Sequence, residues 1–319
     1  MRRFVLGMAV AVVFLGVGCK RERTSVAVDA ALLTQVPADT VALGGMRVKA
    51  LRGTAAWKRV LEQPGVQAQL EKLAAETSFD ARKDLWEILW STNGKEALVY
   101  ARGEFAPMGL EPKIEREGVQ RMSHKGSMLL GNEENAVWFV NSSTAVYGRT
   151  GKLRELIDGR DEGNAGPSAA IRERIAGFAP GTHFWMVAEG GALPQVPEMG
   201  SVGEQGGMAM NFLQNLPKLM KSVQMVTGQM SLADGIAMEG AAYCDGEQGA
   251  RQVHDSLKGV VGLARVALPE RQRGALLPLL DAVEVVQKES VTGMKARLTV
   301  EQFEKVQAVM GLGRGKAAD

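Results

Sequence analysis

Residues 93–101 read NGKEALVYA, a turn dipeptide, two charged residues and then the strand-like run 97–101. Asn-Gly is a strong hairpin signal because both central residues of a type I′ turn need a positive φ. The same arrangement recurs later, where Asp234-Gly235 precedes the strand-like run 236–243. We therefore predict two β-hairpins at corresponding places along the chain.

Two further landmarks recur at nearly the same offset. VPADT at 36–40 opens the apolar run 41–48, and APGT at 179–182 opens the run 183–188. Each hairpin is also followed by a charged, helix-like stretch, 104–117 in the first case and 247–266 in the second. Such internal agreement predicts two related halves, residues 36–178 and residues 179–311. The identity between them is low, so convergence on common turn residues stays open.

Each half contains a strand, a helix, a hairpin, a helix and further strands. That order is typical of a ferredoxin-like βαββαβ unit. We therefore predict an α+β fold of two related halves, each a mostly antiparallel sheet with helices on one face. One segment is ambiguous: residues 80–90 could form a helix capped by Asp80, or residues 85–91 could form the first arm of the hairpin. In a helix, Trp86 and Trp90 would share a face.

The N-terminus has the composition of a secretory signal. Residues 1–3, MRR, supply positive charge, and residues 4–17 contain no charged or strongly polar side chain. The run is shorter than the roughly 20 residues that a helix needs to cross a bilayer. We therefore predict a signal peptide over residues 1–18.

Residues 15–19, LGVGC, resemble a bacterial lipobox, in which the cysteine is acylated, for instance with palmitate, and becomes the new N-terminus. The usual leucine three places before the cysteine is Gly16 here, so ordinary cleavage with an incidental Cys19 is the alternative. The change to KRER at 20–23 favours lipidation. The resemblance implies a lipoprotein anchored through Cys19 and a tether over residues 19–35. It also implies a place in the cell envelope, facing the periplasm or the exterior.

Charge and cysteine content exclude other classes. The net charge is +2, from 38 basic and 36 acidic residues, which provides no electrostatic footprint for nucleic acid. Cys244 is the only cysteine besides Cys19, so no intramolecular disulfide forms once Cys19 is acylated. Its apolar surroundings predict a small buried side chain.

Several segments resemble a loose group of exported bacterial envelope proteins without an assigned activity. The resemblance covers most of the chain and supports the α+β fold, and it implies no activity or cofactor. The similar segments are residues 37–40, PADT; residues 79–84, FDARKD; residues 101–105, ARGEF; and residues 136–148 and 234–259.

Catalytic and metal motifs are missing from the sequence. His124, His183 and His254 lie in no HExxH pattern, and zinc requires three or four close ligands. There is no Gly-x-Ser-x-Gly elbow and no phosphate-binding loop. The glycines at 311–315 run into a tail, residues 312–319, that we predict to be disordered. We predict a structural role for His183, and no catalytic residue, metal or cofactor.

Methionines crowd between residues 186 and 238, around a Pro/Gly-rich loop at 190–207 that we predict to be mobile. Thioethers can bind copper(I), but helical spacing in residues 208–219 favours a core-facing stripe. A methionine-lined surface could also bind an apolar partner. The candidate partner contacts are Met208, Met210, Phe212, Leu216 and Leu219.

Together these features favour a lipid-anchored envelope module that binds or assembles without catalysis. Its expected partners are the membrane, through Cys19, and a protein or apolar ligand. Two alternatives remain: an enzyme whose site has no local motif, and a periplasmic carrier with an apolar cavity.

Overall fold

The computed structural model describes residue 28, residues 30–105, 118–160, 166–192, 221–233, 235–268 and 270–302, and residue 305. Its strands, in chain order, are β1 Ala42–Met46, β2 Leu85–Thr92, β3 Ala97–Gly103, β4 Gln120–His124, β5 Ser127–Gly131, β6 Asn135–Asn141, β7 Thr144–Arg149, β8 Phe184–Glu189, β9 Val223–Ser231, β10 Ile236–Cys244, β11 Val283–Lys288 and β12 Val291–Leu298. All twelve belong to one sheet, in the order β11-β12-β10-β9-β8-β1-β2-β3-β7-β6-β5-β4.

Nine helices lie within the described residues. They are α1 Ala30–Leu33, α2 Val48–Leu51, α3 Ala55–Leu61, α4 Pro64–Thr77, α5 Ala81–Asp84, α6 Thr150–Gly159, α7 Ala169–Ala176, α8 Glu247–Ala267 and α9 Glu270–Asp281. Every strand pair in the sheet is antiparallel. The protein is therefore a mixed α+β molecule with a large antiparallel sheet. None of the helices in this part of the chain is long and apolar enough to cross a membrane.

The strand order differs from the predicted ferredoxin-like order. A ferredoxin-like unit would place its first strand inside its own sheet, beside the third. Instead β1 pairs with β2 on one side and with β8 on the other, where Leu43 faces Val187. Residues 36–178 and 179–311 therefore share one continuous sheet. Counted outward from the β1–β8 pair, β3 and β10 each occupy the third position.

The β2–β3 hairpin forms where the Asn-Gly pair predicts it. Gly94 has a φ of +85°, and the Asn93 side-chain oxygen accepts hydrogen bonds from the backbone N–H groups of Lys95 and Glu96 at 3.0 and 2.9 Å. Residues 85–92 are a strand, so the alternative of a helix containing Trp86 and Trp90 is wrong. Only the short α5 follows the Asp80 cap.

Alternation along β3 defines the two faces of the sheet. Leu98 and Tyr100 are buried and Val99 is exposed, so we call the sides the Tyr100 face and the Val99 face. The main core lies on the Tyr100 face under α6 and α7. It contains residues from both predicted halves, including Tyr100, Trp138 and Trp185. One hydrophobic core thus crosses the predicted boundary at residue 178.

The prediction that the helices lie on one face of the sheet is wrong, because they lie on both faces. Thr292 on β12 is 1% exposed and donates a hydrogen bond from Oγ1 to the Ala250 carbonyl of α8 at 2.6 Å. Register pairing through Ala242 places Thr292 on the Val99 face. The reason lies in β12 itself: Ala296 and Leu298 are buried on that side, whereas Lys295 and Arg297 point the other way into solvent.

Candidate functional site

A row of apolar residues crosses the Val99 face from β6 to β11. Directly paired residues on neighbouring antiparallel strands point to the same side, so the pairing register identifies the members. We call this set the Val99 row. Its members are Val137, Tyr147, Val99, Trp90, Gly44, Met186, Gly228, Gly240, Met294 and Val285.

The adjacent row on the same face is also wholly apolar. We call it the Met238 row, and its members are Phe139, Ala145, Ala101, Ile88, Met46, Phe184, Met230, Met238, Ala296 and Val283. The two rows together place Met46, Met186, Met230, Met238 and Met294 on a single sheet face. Methionine is flexible and polarisable, so a surface of this composition can adapt to an apolar partner.

Four members of the Val99 row stand out by exposure. Tyr147 is 49% exposed, Met294 40%, Val99 37% and Trp90 36%. Tyr147, Val99 and Trp90 lie directly opposite one another on β7, β3 and β2. The indole of Trp90 lies over Gly44 and leaves no room for a Cβ there. The row therefore combines accessible aromatic surface with an indole, that of Trp90, which lies against the sheet.

A polar groove lies on the other side of the sheet, where β9, β10 and β12 pass the C-terminal end of α7. We call it the Arg174 groove. It encloses about 370 Å³ and has small residues, Ala241 and Gly293, in its floor. These two face each other across β10 and β12. Phe178, just beyond α7, forms part of the wall.

Charged side chains surround this groove in a defined arrangement. Gln229 donates a hydrogen bond from Nε2 to Glu239 at 2.9 Å, and the Lys295 ammonium lies 3.6 Å from the same carboxylate. The Arg174 guanidinium carbon lies 3.8 Å from the centroid of the Tyr243 ring. On one side of the groove, Arg174 of α7 therefore lies over an aromatic ring. On the other side, the Glu239 carboxylate has two partners.

The three histidines have separate structural surroundings. His183 is 6% exposed, and its Nδ1 accepts the backbone N–H of Leu232 at 3.1 Å. Burial lowers the pKa of His183 below its usual range, a backbone hydrogen bond to Ala50 opposes that shift, and the charge of Arg47 adds to it. A neutral imidazole that caps a strand end fits the predicted structural role.

The other two histidines pair with carboxylates. His124 Nε2 lies 2.7 Å from Asp158, and Lys125 Nζ lies 3.0 Å from the same oxygen. Hydrogen bonds from Lys125 and then His124 hold the pKa of Asp158 below its usual range. His254 Nδ1 lies 2.9 Å from its neighbour Asp255. Within the described ranges no three His, Cys, Asp or Glu side chains are placed to hold a metal ion.

Cys244 is buried on β10, with 5% of its surface exposed, and its small apolar cluster includes Val223 and Ala250. Burial raises the pKa of its thiol, and the nearby charge of Asp245 raises it further. This agrees with the predicted small buried side chain.

The predicted anchor and partner contacts lie outside the described residues. This applies to Cys19, Met208, Met210, Phe212, Leu216 and Leu219, and to the loop 193–207. The first residues of that predicted loop, Gly190–Ala192, form a short 3-10 turn. Of the crowded methionines, Met186, Met230 and Met238 lie on the Val99 face.

Fold and surfaces define an α+β protein with one apolar sheet face and one polar groove. No protein-family model and no curated protein matches the chain. Among solved structures, crystal form III of TP0453 is similar with a TM-score of 0.49 and 11% identity, covering 89% of this chain and 99% of that one. Crystal form I of TP0453 gives 0.44 and 10%, with 90% and 99% coverage. Similarity at this level says nothing about what the chain binds.

Sequence reasoning missed the two apolar rows. No alternation of polar and apolar residues marks Trp90, Val99 and Tyr147 as exposed, because most of their neighbours in β2, β3 and β7 are apolar as well. Their alignment depends on the register between strands, which no local pattern contains. The Arg174 groove was missed for the same reason, because α7 and β10 are far apart in the chain.

Proposed function

We propose that the chain is a lipid-anchored envelope protein that binds a protein partner through its Val99 row and carries out no catalysis. One observation carries the proposal. Tyr147, Val99 and Trp90 are directly opposed on three adjacent strands, and 36% to 49% of each side chain is exposed. Aromatic and methionine side chains are enriched where proteins associate.

The methionines of this face support the proposal. Met294 in the Val99 row is 40% exposed, and accessible apolar side chains on a sheet face are typical of association sites. A face with several methionines can repack around a partner.

The anchoring at the envelope is proposed from the N-terminal sequence. Signal-like residues 1–18 and the lipobox-like segment ending at Cys19 support it. Lipid attachment would confine the chain to a membrane surface, facing the periplasm or the exterior, and raise its local concentration near envelope partners.

We also propose that the two halves are related by duplication. The equivalent third positions of β3 and β10 support it, as do the outer hairpins β6–β7 and β11–β12, which are next beyond them in the sheet order. In this proposal each half is one flank of the continuous antiparallel sheet, extending outward from the β1–β8 pair, and not a separate ferredoxin-like sheet.

The anchor is tested by exchanging Cys19 for serine. A thiol is needed for acylation, so we expect Cys19→Ser to shift the chain from the detergent phase to the aqueous phase in phase partitioning. Cys244→Ser is the matched control, since the second cysteine is buried on β10, and it should partition like the wild type. Equal partitioning of a processed Cys19→Ser chain and the wild type would rule out the lipid anchor.

Partner binding is tested on the full lipidated chain in its native envelope, with a photo-reactive residue at position 99 or at position 286. Val286 is the matched control: it is 51% exposed and lies on the opposite face of edge strand β11. We expect a discrete protein adduct from position 99 and none from position 286.

A substitution then tests the same surface. Val99→Glu should abolish co-purification of the cross-linked protein, because it places a charge in the apolar contact, whereas Val286→Glu should leave it intact. Identical adducts from both positions, or no protein adduct from position 99, would contradict the proposal. Adducts with lipid alone would favour the apolar-ligand carrier instead.

A further inference from the structure

The Arg174 groove lies on the face opposite the proposed partner surface, so its role is a separate question. Its volume of about 370 Å³ lies in the range of small-ligand pockets. The floor is low because Ala241 and Gly293 project little or nothing from β10 and β12. A flat ligand could therefore lie on the sheet between α7 and the Glu239–Lys295 pair.

The groove's charges are not equally available. Glu239 already accepts a hydrogen bond from Gln229 and faces the Lys295 ammonium. Gln229 is itself held, because its Oε1 accepts hydrogen bonds from Ala179 N and Thr182 Oγ1 at 3.0 and 2.9 Å. This side of the groove is held together by contacts within the protein, with Gln229 and Lys295 both directed at the Glu239 carboxylate.

Arg174 is different. Its guanidinium stacks on Tyr243, and among the described residues no carboxylate lies within ion-pair distance of it. Stacking uses the flat side of a guanidinium and leaves its N–H edge free for the two-point contact that carboxylates and phosphates accept. The ring also fixes the orientation of that edge before a ligand arrives.

We propose that the Arg174 groove binds a small planar monocarboxylate. The carboxylate pairs with the N–H edge of Arg174, and the apolar body lies over Ala241 and Gly293. A single negative charge is favoured over a phosphate dianion because the two cations of the groove, Arg174 and Lys295, are already matched by two carboxylates, Glu173 and Glu239. This site is independent of partner binding at the Val99 row.

The test uses the full chain in detergent micelles, with benzoate as the probe and calorimetric titration as the readout. Benzamide, a neutral molecule of the same shape, and phenyl phosphate, a dianion, are the comparison probes. We expect saturable binding of benzoate at one site per chain. Benzamide and phenyl phosphate should each bind at least about tenfold more weakly.

Two variants address the residues. Arg174→Gln should weaken benzoate binding at least about tenfold, and Ala241→Leu should weaken it as much by filling the floor. Arg251→Gln is the matched control, because Arg251 pairs with Glu247 on α8, away from the groove, and it should bind benzoate like the wild type. Thermal unfolding of each variant separates loss of the site from loss of the fold.

The proposal would be overturned by no saturable benzoate binding by the wild type, by equal affinity for benzoate and benzamide, or by unchanged affinity in a folded Arg174→Gln variant. Tighter binding of phenyl phosphate would also overturn it. None of these results bears on cross-linking at position 99, so failure here and failure of the proposed function are distinguishable.

Discussion

Gly45→Ala is expected to lower the free energy of unfolding by about 2–3 kcal/mol, in the upper part of the range for overpacked cores. A Cβ at Gly45 would meet the indole ring of Trp185 at 2.5 Å. Trp185 is 3% exposed and packs against Phe178, with ring centroids 5.8 Å apart, so it has nowhere to move. Equilibrium denaturation by urea of the full chain measures the loss.

The adjacent glycine is the matched control. Gly44 also lies under a tryptophan, Trp90, but on the Val99 face, where that indole is 36% exposed and can swing outward. Replacing a strand glycine also recovers about 0.5–1 kcal/mol of backbone entropy. We therefore expect Gly44→Ala to cost less than about 1 kcal/mol. Equal losses at the two positions would mean that the two tryptophans do not differ in freedom to move.

Some elements of the fold can be predicted from the sequence and others cannot. The turn residues Asn93-Gly94 predict the β2–β3 hairpin, because a positive φ is a local requirement that specific residues meet. The strand-like run at 236–243 forms β10, which extends one residue further, over Ile236–Cys244. Local backbone chemistry and apolar runs are enough for such elements.

Lateral strand order is a different matter. The central β1–β8 pair joins segments that are far apart in the chain, and the sequence of neither strand indicates which strand it pairs with. Element order alone was compatible with a ferredoxin-like unit as well as with the observed strand order, in which β7 lies beside β3 and β12 beside β10. The choice depends on register and packing across the whole sheet.

The position of the helices also escaped local reasoning. Strand β10 is mostly apolar or small on both sides, with Glu239 as its one charged residue. Period-two alternation therefore does not say which side a helix will cover. The hydrogen bond from the buried Thr292 hydroxyl to the Ala250 carbonyl shows that α8 covers this side of β12, but this contact is visible only in the folded structure.

The candidate sites likewise combine features that the local sequence predicts with contacts that depend on tertiary structure. Methionine crowding between residues 186 and 238 predicts an adaptable surface, and Met186, Met230 and Met238 do share the Val99 face. The stacking of Arg174 on Tyr243 joins a helix and a strand that no motif links. Residues that come together only through tertiary structure form no motif that can be recognised in the sequence.

Trp138→Ala is expected to cost more stability than Gly45→Ala, a loss of about 3–5 kcal/mol in the free energy of unfolding. Trp138 lies on β6, is 1% exposed and belongs to the core beneath α6. It sits directly between Leu129 on β5 and Val146 on β7, which are both fully buried. Removing the indole leaves a cavity that these strands cannot close, because their own register holds them apart.

The matched variant is Tyr147→Ala on the neighbouring strand. Tyr147 points to the Val99 face and is 49% exposed, so its loss should change the free energy of unfolding by no more than about 0.5 kcal/mol. Urea denaturation of both variants under the same conditions gives the comparison. A small loss for Trp138→Ala would mean that the β5–β7 region can collapse around a missing side chain.

The two variants also separate stability from binding. Native proteins are stable by only about 5–15 kcal/mol, so Trp138→Ala consumes a large part of that margin and should lose partner binding by unfolding. Tyr147→Ala should remain folded and still weaken binding, because it removes one of the three opposed side chains of the Val99 row. A folded Tyr147→Ala chain that binds its partner as the wild type does would move the contact away from β7, toward Met294 and the outer strands.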